Sequence, residues 1–156
     1  MAELMRLAFA AILTCAVPLV SGAAAQTAAE VVRVEQPWAR ASIGMARPAA
    51  AYLTLVNEGS ESVTLTAVET PLAGKAEVHE TTEKDGVMRM APAGPQRVPS
   101  GGSVRMAPGG LHVMLMNLAQ PLKQGQTLPL TLRFTDGSSL EVSAQIQGVG
   151  SMGHEE

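Results

Sequence analysis

From residue 31 onward, apolar and polar residues alternate in short runs, the period-two pattern of strands that turn one face toward a core. The runs VVRVE 31–35, AAYLTLVN 50–57, VTLTAVE 63–69, AEVHETT 76–82 and VMRMA 87–91 are predicted strands. SVRMA 103–107, LHVMLMNL 111–118, TLPLTLRF 127–134 and LEVSAQIQ 139–146 continue the series. Between them stand NEGSES, KDG, PSGG, PGG, KQG and TDGSS, rich in the residues that favour turns. Asp-Gly accepts positive φ, so TDGSS predicts a hairpin between the last two strands. A single helical turn is expected in LAQPLKQG. With no longer helical periodicity and no repeat, the pattern predicts one all-β domain, a sandwich or barrel.

The first 25 residues do not follow this pattern. A polar start with Arg6 leads into LAFAAILTCAVPLV, an apolar run of 14 residues, and then SGAAA before Gln26. That is the layout of a cleaved secretory signal, and the run falls short of the ~20 residues needed to span a bilayer. Cleavage is expected between Ala25 and Gln26. Acylation of Cys15 would instead make a lipoprotein. Thr14 before the cysteine and the apolar residues after it argue against that reading. The expected division is a signal peptide over 1–25, a folded domain over 26–147 and a flexible Gly-rich tail over 148–156.

Losing the leader removes Cys15, the only cysteine, so disulfides, thiolate catalysis and thiolate–metal bonds are excluded from the mature chain. It also removes Glu3 and Arg6, leaving the net charge at −3. No basic run is present and aromatics are 3%, which argues against nucleic-acid binding. The cleaved signal predicts an exported, periplasmic chain, and no second long apolar run follows, so the mature chain is expected to be soluble and not inserted in a membrane.

Chemistry concentrates between residues 79 and 116. His112, Met114 and Met116 share one face of their strand, while Leu111, Val113 and Leu115 share the other. Met88 and Met90 share a face of the strand after KDG, and His79 lies in AEVHET. Taken singly, a strand histidine reads as a surface residue and a methionine as core filler. His112 and Met114 side by side on one face, next to a Gly-rich turn, suggest more. Zinc favours Cys, His and carboxylate, and calcium and magnesium need hard oxygens. Imidazole with thioether suits Cu(I) and holds Cu(II) poorly, and a blue electron-transfer centre would need a Cys thiolate.

The spacing H-x10-M-x21-H-x-M, from His79 through Met90 and His112 to Met114, resembles the signature of the periplasmic copper chaperone family PCu(A)C. So do the blocks PWAR 37–40, AAAYLTLVN 49–57, GVMRM 86–90, PGGLHVMLMNL 108–118 and LKQGQTLPLTLRF 122–134. The resemblance implies a cupredoxin-like Greek-key β-sandwich and the ligand set His79, Met90, His112 and Met114 for Cu(I). It leaves Met88 and Met116 as packing or an apolar rim. It also implies a role in supplying copper to the dinuclear centre of cytochrome c oxidase, through an oxidase subunit or an assembly factor as acceptor.

Met152 and His154, followed by two glutamates, are expected either to end the chain without a role or to capture Cu(II) in a mobile arm. Trp38 is expected to anchor the sandwich and Arg40 to be solvated. No nucleophile–base arrangement or hydrolase motif is present, so a non-enzymatic carrier is expected. Copper storage or resistance, and a β-sandwich binding module with structural His and Met, are the competing readings. Imidazole binds metal only when neutral, so Cu(I) affinity is expected to fall as pH drops through the imidazole range.

Overall fold

The alternating pattern is realised as strands in a computed structural model that describes residues 24–153. The expected leader, apart from its last two residues, and His154, Glu155 and Glu156 lie outside the described residues. A short helical turn, α1 (Ala28–Val31), leads into β1 (Val32–Arg40), β2 (Ala49–Asn57), β3 (Val63–Glu69), β4 (Ala73–Lys84) and β5 (Val87–Pro92). Then follow β6 (Gln96–Val98), β7 (Ser103–Met106), β8 (Leu111–Leu118), β9 (Thr127–Phe134) and β10 (Ser139–Gln147). Among the described residues, no helix is long and apolar enough to cross a membrane.

Hydrogen bonds link the strands in the order β5-β4-β8-β2-β1-β10-β9-β3-β6, with β7 pairing β2 beyond the end of β8. Among the described residues, the only parallel pair in that path is β1 with β10. The path folds over so that β3 approaches β4, and β6 approaches β7 and β2. The enclosed core holds Leu53, Leu55, Val113, Leu115, Leu130 and Leu132, each at most 1% exposed. This is the cupredoxin-like sandwich expected from the sequence.

Two elements were not foreseen. The turn α1 forms because Thr27 N–H donates to Glu30 Oε2 at 2.7 Å, the T-x-x-E pairing of a capping box. It is held on the β9–β10 hairpin, where Ala28 N–H donates to Asp136 Oδ2 at 2.7 Å. The short β6 carries little pattern of its own and pairs with β3. The helical turn expected in LAQPLKQG does not form. Ala119 N–H bonds Leu72 O, Leu122 N–H bonds Ser42 Oγ and Gly125 N–H bonds Ile146 O, so these donors go to neighbours instead of to their own turn.

Two local irregularities decide which side chains reach the outer face of the β5-β4-β8-β2-β1 layer. Glu35 pairs Thr54 and Trp38 pairs Tyr52, so Gln36 and Pro37 oppose one residue. Gln36 takes the left-handed φ of 45° that such a bulge accommodates. The extra residue reverses the alternation. Before it, Val32 and Val34 face the core; after it, Ala39 faces the core, and Trp38 and Arg40 face outward. At the β4–β5 hairpin, Asp85 and Gly86 have φ of 55° and 73°, the two positive values of a type I′ turn. That turn fixes a register pairing Lys84 with Val87, Thr81 with Met90 and His79 with Pro92.

Candidate metal centre

His79 on β4 and His112 on β8 are directly paired across the ladder, with ring centroids 6.2 Å apart. Both rings lie on the outer face, because Val78 and Val113 beside them point into the core. Met114, two residues along β8, is paired with Glu77, and Met90 on β5 is paired with Thr81. The two thioether residues therefore flank the imidazole pair from opposite directions along β4. Met90, His112 and Met114 line a cleft of about 480 Å³ whose rim includes Met88, Ile43 and Val149. His79 stands beside this cleft and does not line it. Its side chain is 11% exposed, against 51% for Met90. Met116 is half-buried opposite Lys75, away from the cleft, and Met88 is exposed at its mouth.

The polar contacts of the two rings are complementary. Nδ1 of His112 lies 3.0 Å from the Gly110 carbonyl, which can only accept, so Nδ1 carries the proton and Nε2 keeps its lone pair. For His79 the order is reversed. Nε2 lies 3.1 Å from Glu77 Oε2, and Lys75 Nζ lies 2.9 Å from the same oxygen. The Lys75 ammonium, and then the His79 ring N–H, hold the Glu77 carboxyl below the usual carboxylate range. Nε2 therefore donates and Nδ1 of His79 is the acceptor. That atom is buried with no hydrogen-bond partner among the described residues.

An orphaned buried lone pair is costly unless something electron-poor meets it. A metal ion meets that need. With metal–nitrogen bonds of about 2 Å, two imidazoles sharing one ion have centroids roughly 5–6.5 Å apart. The observed 6.2 Å lies at the wide, near-linear end of that interval, so the rings close slightly to share an ion with two further donors. Among the described residues, no three His, Cys, Asp or Glu side chains group as a metal site. A zinc- or calcium-type donor set is therefore missing among those residues. The donors at hand are two imidazoles and two thioethers, the set suited to a soft monovalent ion.

Behind His112 stands an aromatic wall that the sequence did not reveal. The Tyr52 ring lies 6.4 Å from His112 and stacks on Trp38 at 4.5 Å. Trp38 is buried as expected, but on the outer face and not within the sandwich core. The Arg40 guanidinium lies 5.6 Å from the Tyr52 ring centre, and burial raises the Tyr52 phenol above its ordinary value against the opposing pull of Arg40. Arg40 was expected to be solvated; it donates through Nε to Ser151 O at 2.7 Å and approaches Met152 Sδ at 3.2 Å. Gly153 lies so close to the indole that a Cβ there would meet Trp38 at 3.2 Å. PWAR and AAAYLTLVN did carry Trp38, Arg40 and Tyr52. Without the bulge, nothing in their spacing puts all three on the face of His112.

Comparison with known proteins agrees with this architecture. Residues 32–146 match the family described as "Putative lipoprotein LpqE-like". The putative lipoprotein Lxx21020 from Leifsonia xyli subsp. xyli is 38% identical over 85% of this chain and 80% of its own. The Cu(I) form of DR1885 from Deinococcus radiodurans, solved in solution, is 35% identical and superposes with a TM-score of 0.60 over 83% of this chain and 86% of that one. The copper-bound PCuAC domain of PmoF2 is 23% identical, has a TM-score of 0.65 and shares the fold over 78% of this chain and 97% of that one. The chain belongs to the LpqE-like family, whose fold is that of the PCuAC copper-binding domains.

Proposed function

We propose that this chain is a periplasmic Cu(I) carrier, with His79, Met90, His112 and Met114 as the residues that hold the ion. The observation that carries the reading is the buried Nδ1 of His79, without a hydrogen-bond partner among the described residues. Its ring is paired across the ladder with His112, whose Nδ1 is engaged by the Gly110 carbonyl so that Nε2 faces the metal. Met90 and Met114 flank that pair with soft sulfur donors. Copper is cargo here and stays Cu(I) throughout. The Cu(I) form of the 35% identical DR1885 supports the choice of metal.

Release follows from the asymmetry of the site. Met90 sits on β5, the edge strand, and is half exposed, whereas His112 is 5% exposed behind the cleft. An acceptor ligand can replace the Met90 thioether first and the inner donors afterward, in steps that never leave the ion bare. The apolar rim of Ile43, Met88 and Val149 gives a partner something to cover while the exchange proceeds. The acceptor fitting this reading is a copper-accepting envelope protein, such as the dinuclear-centre subunit of cytochrome c oxidase or its assembly factors. The lipoprotein names of the family and of the Leifsonia relative support export to the cell envelope. Carrier action requires no catalysed reaction.

Two measurements test this. Mass spectrometry under native conditions is expected to find one Cu(I) per chain, and two or none would overturn the single-site reading. Mixing the loaded chain with an apo oxidase copper domain is expected to transfer the ion. Retention by the chain against that thiolate-bearing acceptor would favour storage over delivery.

A further inference from the structure

His79 and His112 offer different nitrogens, and the residue that makes them differ is Glu77. Alternate residues of β4 point the same way, so Lys75, Glu77 and His79 form one row on the outer face. Oε2 of Glu77 is shared by its neighbours, 2.9 Å from Lys75 Nζ and 3.1 Å from His79 Nε2. A carboxylate accepts and never donates, so the ring proton must sit on Nε2. His112 receives the opposite assignment from the carbonyl of Gly110.

We propose that Glu77, steadied by Lys75, is a positioning residue that locks His79 in the Nε2–H tautomer, so that Cu(I) is taken by Nδ1 of His79 and Nε2 of His112. Carboxylates commonly orient metal-binding histidines this way, and their loss typically weakens metal binding about 10–100-fold. The purpose of the lock rests on the copper reading above, whereas the tautomer is a property of the metal-free chain. An exposed Lys–Glu pair on a strand face is by itself worth little. A merely structural role for Glu77 therefore predicts no effect on either ring or metal.

The test compares the mature wild-type chain with Glu77→Leu and Glu77→Gln. Ring nitrogen NMR of the metal-free wild type is expected to show His79 protonated at Nε2 and His112 at Nδ1. Glu77→Leu is expected to mix the His79 tautomers, leave His112 alone and weaken Cu(I) about 10–100-fold in competition with a chromophoric chelator. Glu77→Gln keeps a carbonyl acceptor and is expected to recover most of both. A wild-type His79 protonated at Nδ1 would overturn the lock, and that measurement needs no variant to fold. So would a folded Glu77→Leu chain with unchanged tautomer and affinity. A wild type that takes up no Cu(I) would instead overturn the copper reading, and with it the purpose assigned to Glu77.

Discussion

Replacing His112 and Met114 together by alanine separates copper binding from folding, provided the cost to the fold is small enough. His112→Ala removes the Nδ1–H bond to Gly110 O, a neutral bond worth a net ~0.5–1.5 kcal/mol. It also removes ring contacts with Tyr52 and His79, together about 0.5–1.5 kcal/mol. Met114 is half-buried, so its truncation costs about half of the 2–5 kcal/mol of a fully buried methionine. The sum is about 2–5.5 kcal/mol, which reaches only the lower end of the ~5–15 kcal/mol typical of domains. The double variant should therefore remain mostly folded. Trp38, the only tryptophan, reports on this by its fluorescence during urea unfolding. The expected midpoint shift is about 2 M, taking an m-value of about 2 kcal/mol/M. Cu(I) retention is expected to be lost by more than the roughly 10–100-fold typical of outer-shell changes. A folded double variant that still holds one Cu(I) would refute the assignment of both residues, and a chain unfolded in water would refute the energetic reasoning.

The wall behind the site should matter to both stability and binding. Tyr52→Ala empties a nearly fully buried position stacked on Trp38, with an expected loss of about 3–5 kcal/mol in urea unfolding, while Tyr52→Phe should stay within about 1 kcal/mol. Arg40 and Arg47 are the charged residues lining the cleft of a chain with net charge −3. Arg47→Glu is therefore expected to slow copper removal by an anionic chelator at low salt, leaving removal by an uncharged one unchanged in stopped-flow traces. Acid should destabilise the fold through carboxylates whose folded-state values are lowered: Glu69 by its pairing with Arg133, and Asp136 by hydrogen bonds from Ser138 and then Ala28 N–H. A lowered folded value means the stabilisation is present above the ordinary range near 4 and is lost as pH falls through the folded value. The urea midpoint should fall below about pH 4.5, less steeply in Asp136→Asn, and equal slopes for the two proteins would contradict this.

The strands near the site were largely legible because their two faces differ in polarity. LHVMLMNL ends where β8 ends, and its alternation already assigned Val113 and Leu115 to the core and His112 and Met114 to the other face. KDG announced a turn, which the structure makes the hairpin whose register carries Met90 toward His79. Helical preference in LAQPLKQG was overruled because its backbone donors found partners in other segments. The alternation of VVRVE stops at Glu35, whereas β1 continues through a bulge to Arg40.

By itself, the order of residues determined the all-β architecture, the segregation of faces and the donor chemistry, since each depends on neighbours one or two positions apart. Only the folded chain decided that β4 and β8 pair with His79 opposite His112, because register between distant strands is set by long-range packing and not by local pattern. It also decided that a bulge turns Trp38 and Arg40 toward Tyr52, and which nitrogen of each imidazole keeps its lone pair. Those last assignments depend on a carboxylate and a carbonyl two residues away along the chain. A distance of about 3 Å, which no spacing in the sequence specifies, makes each of them a partner.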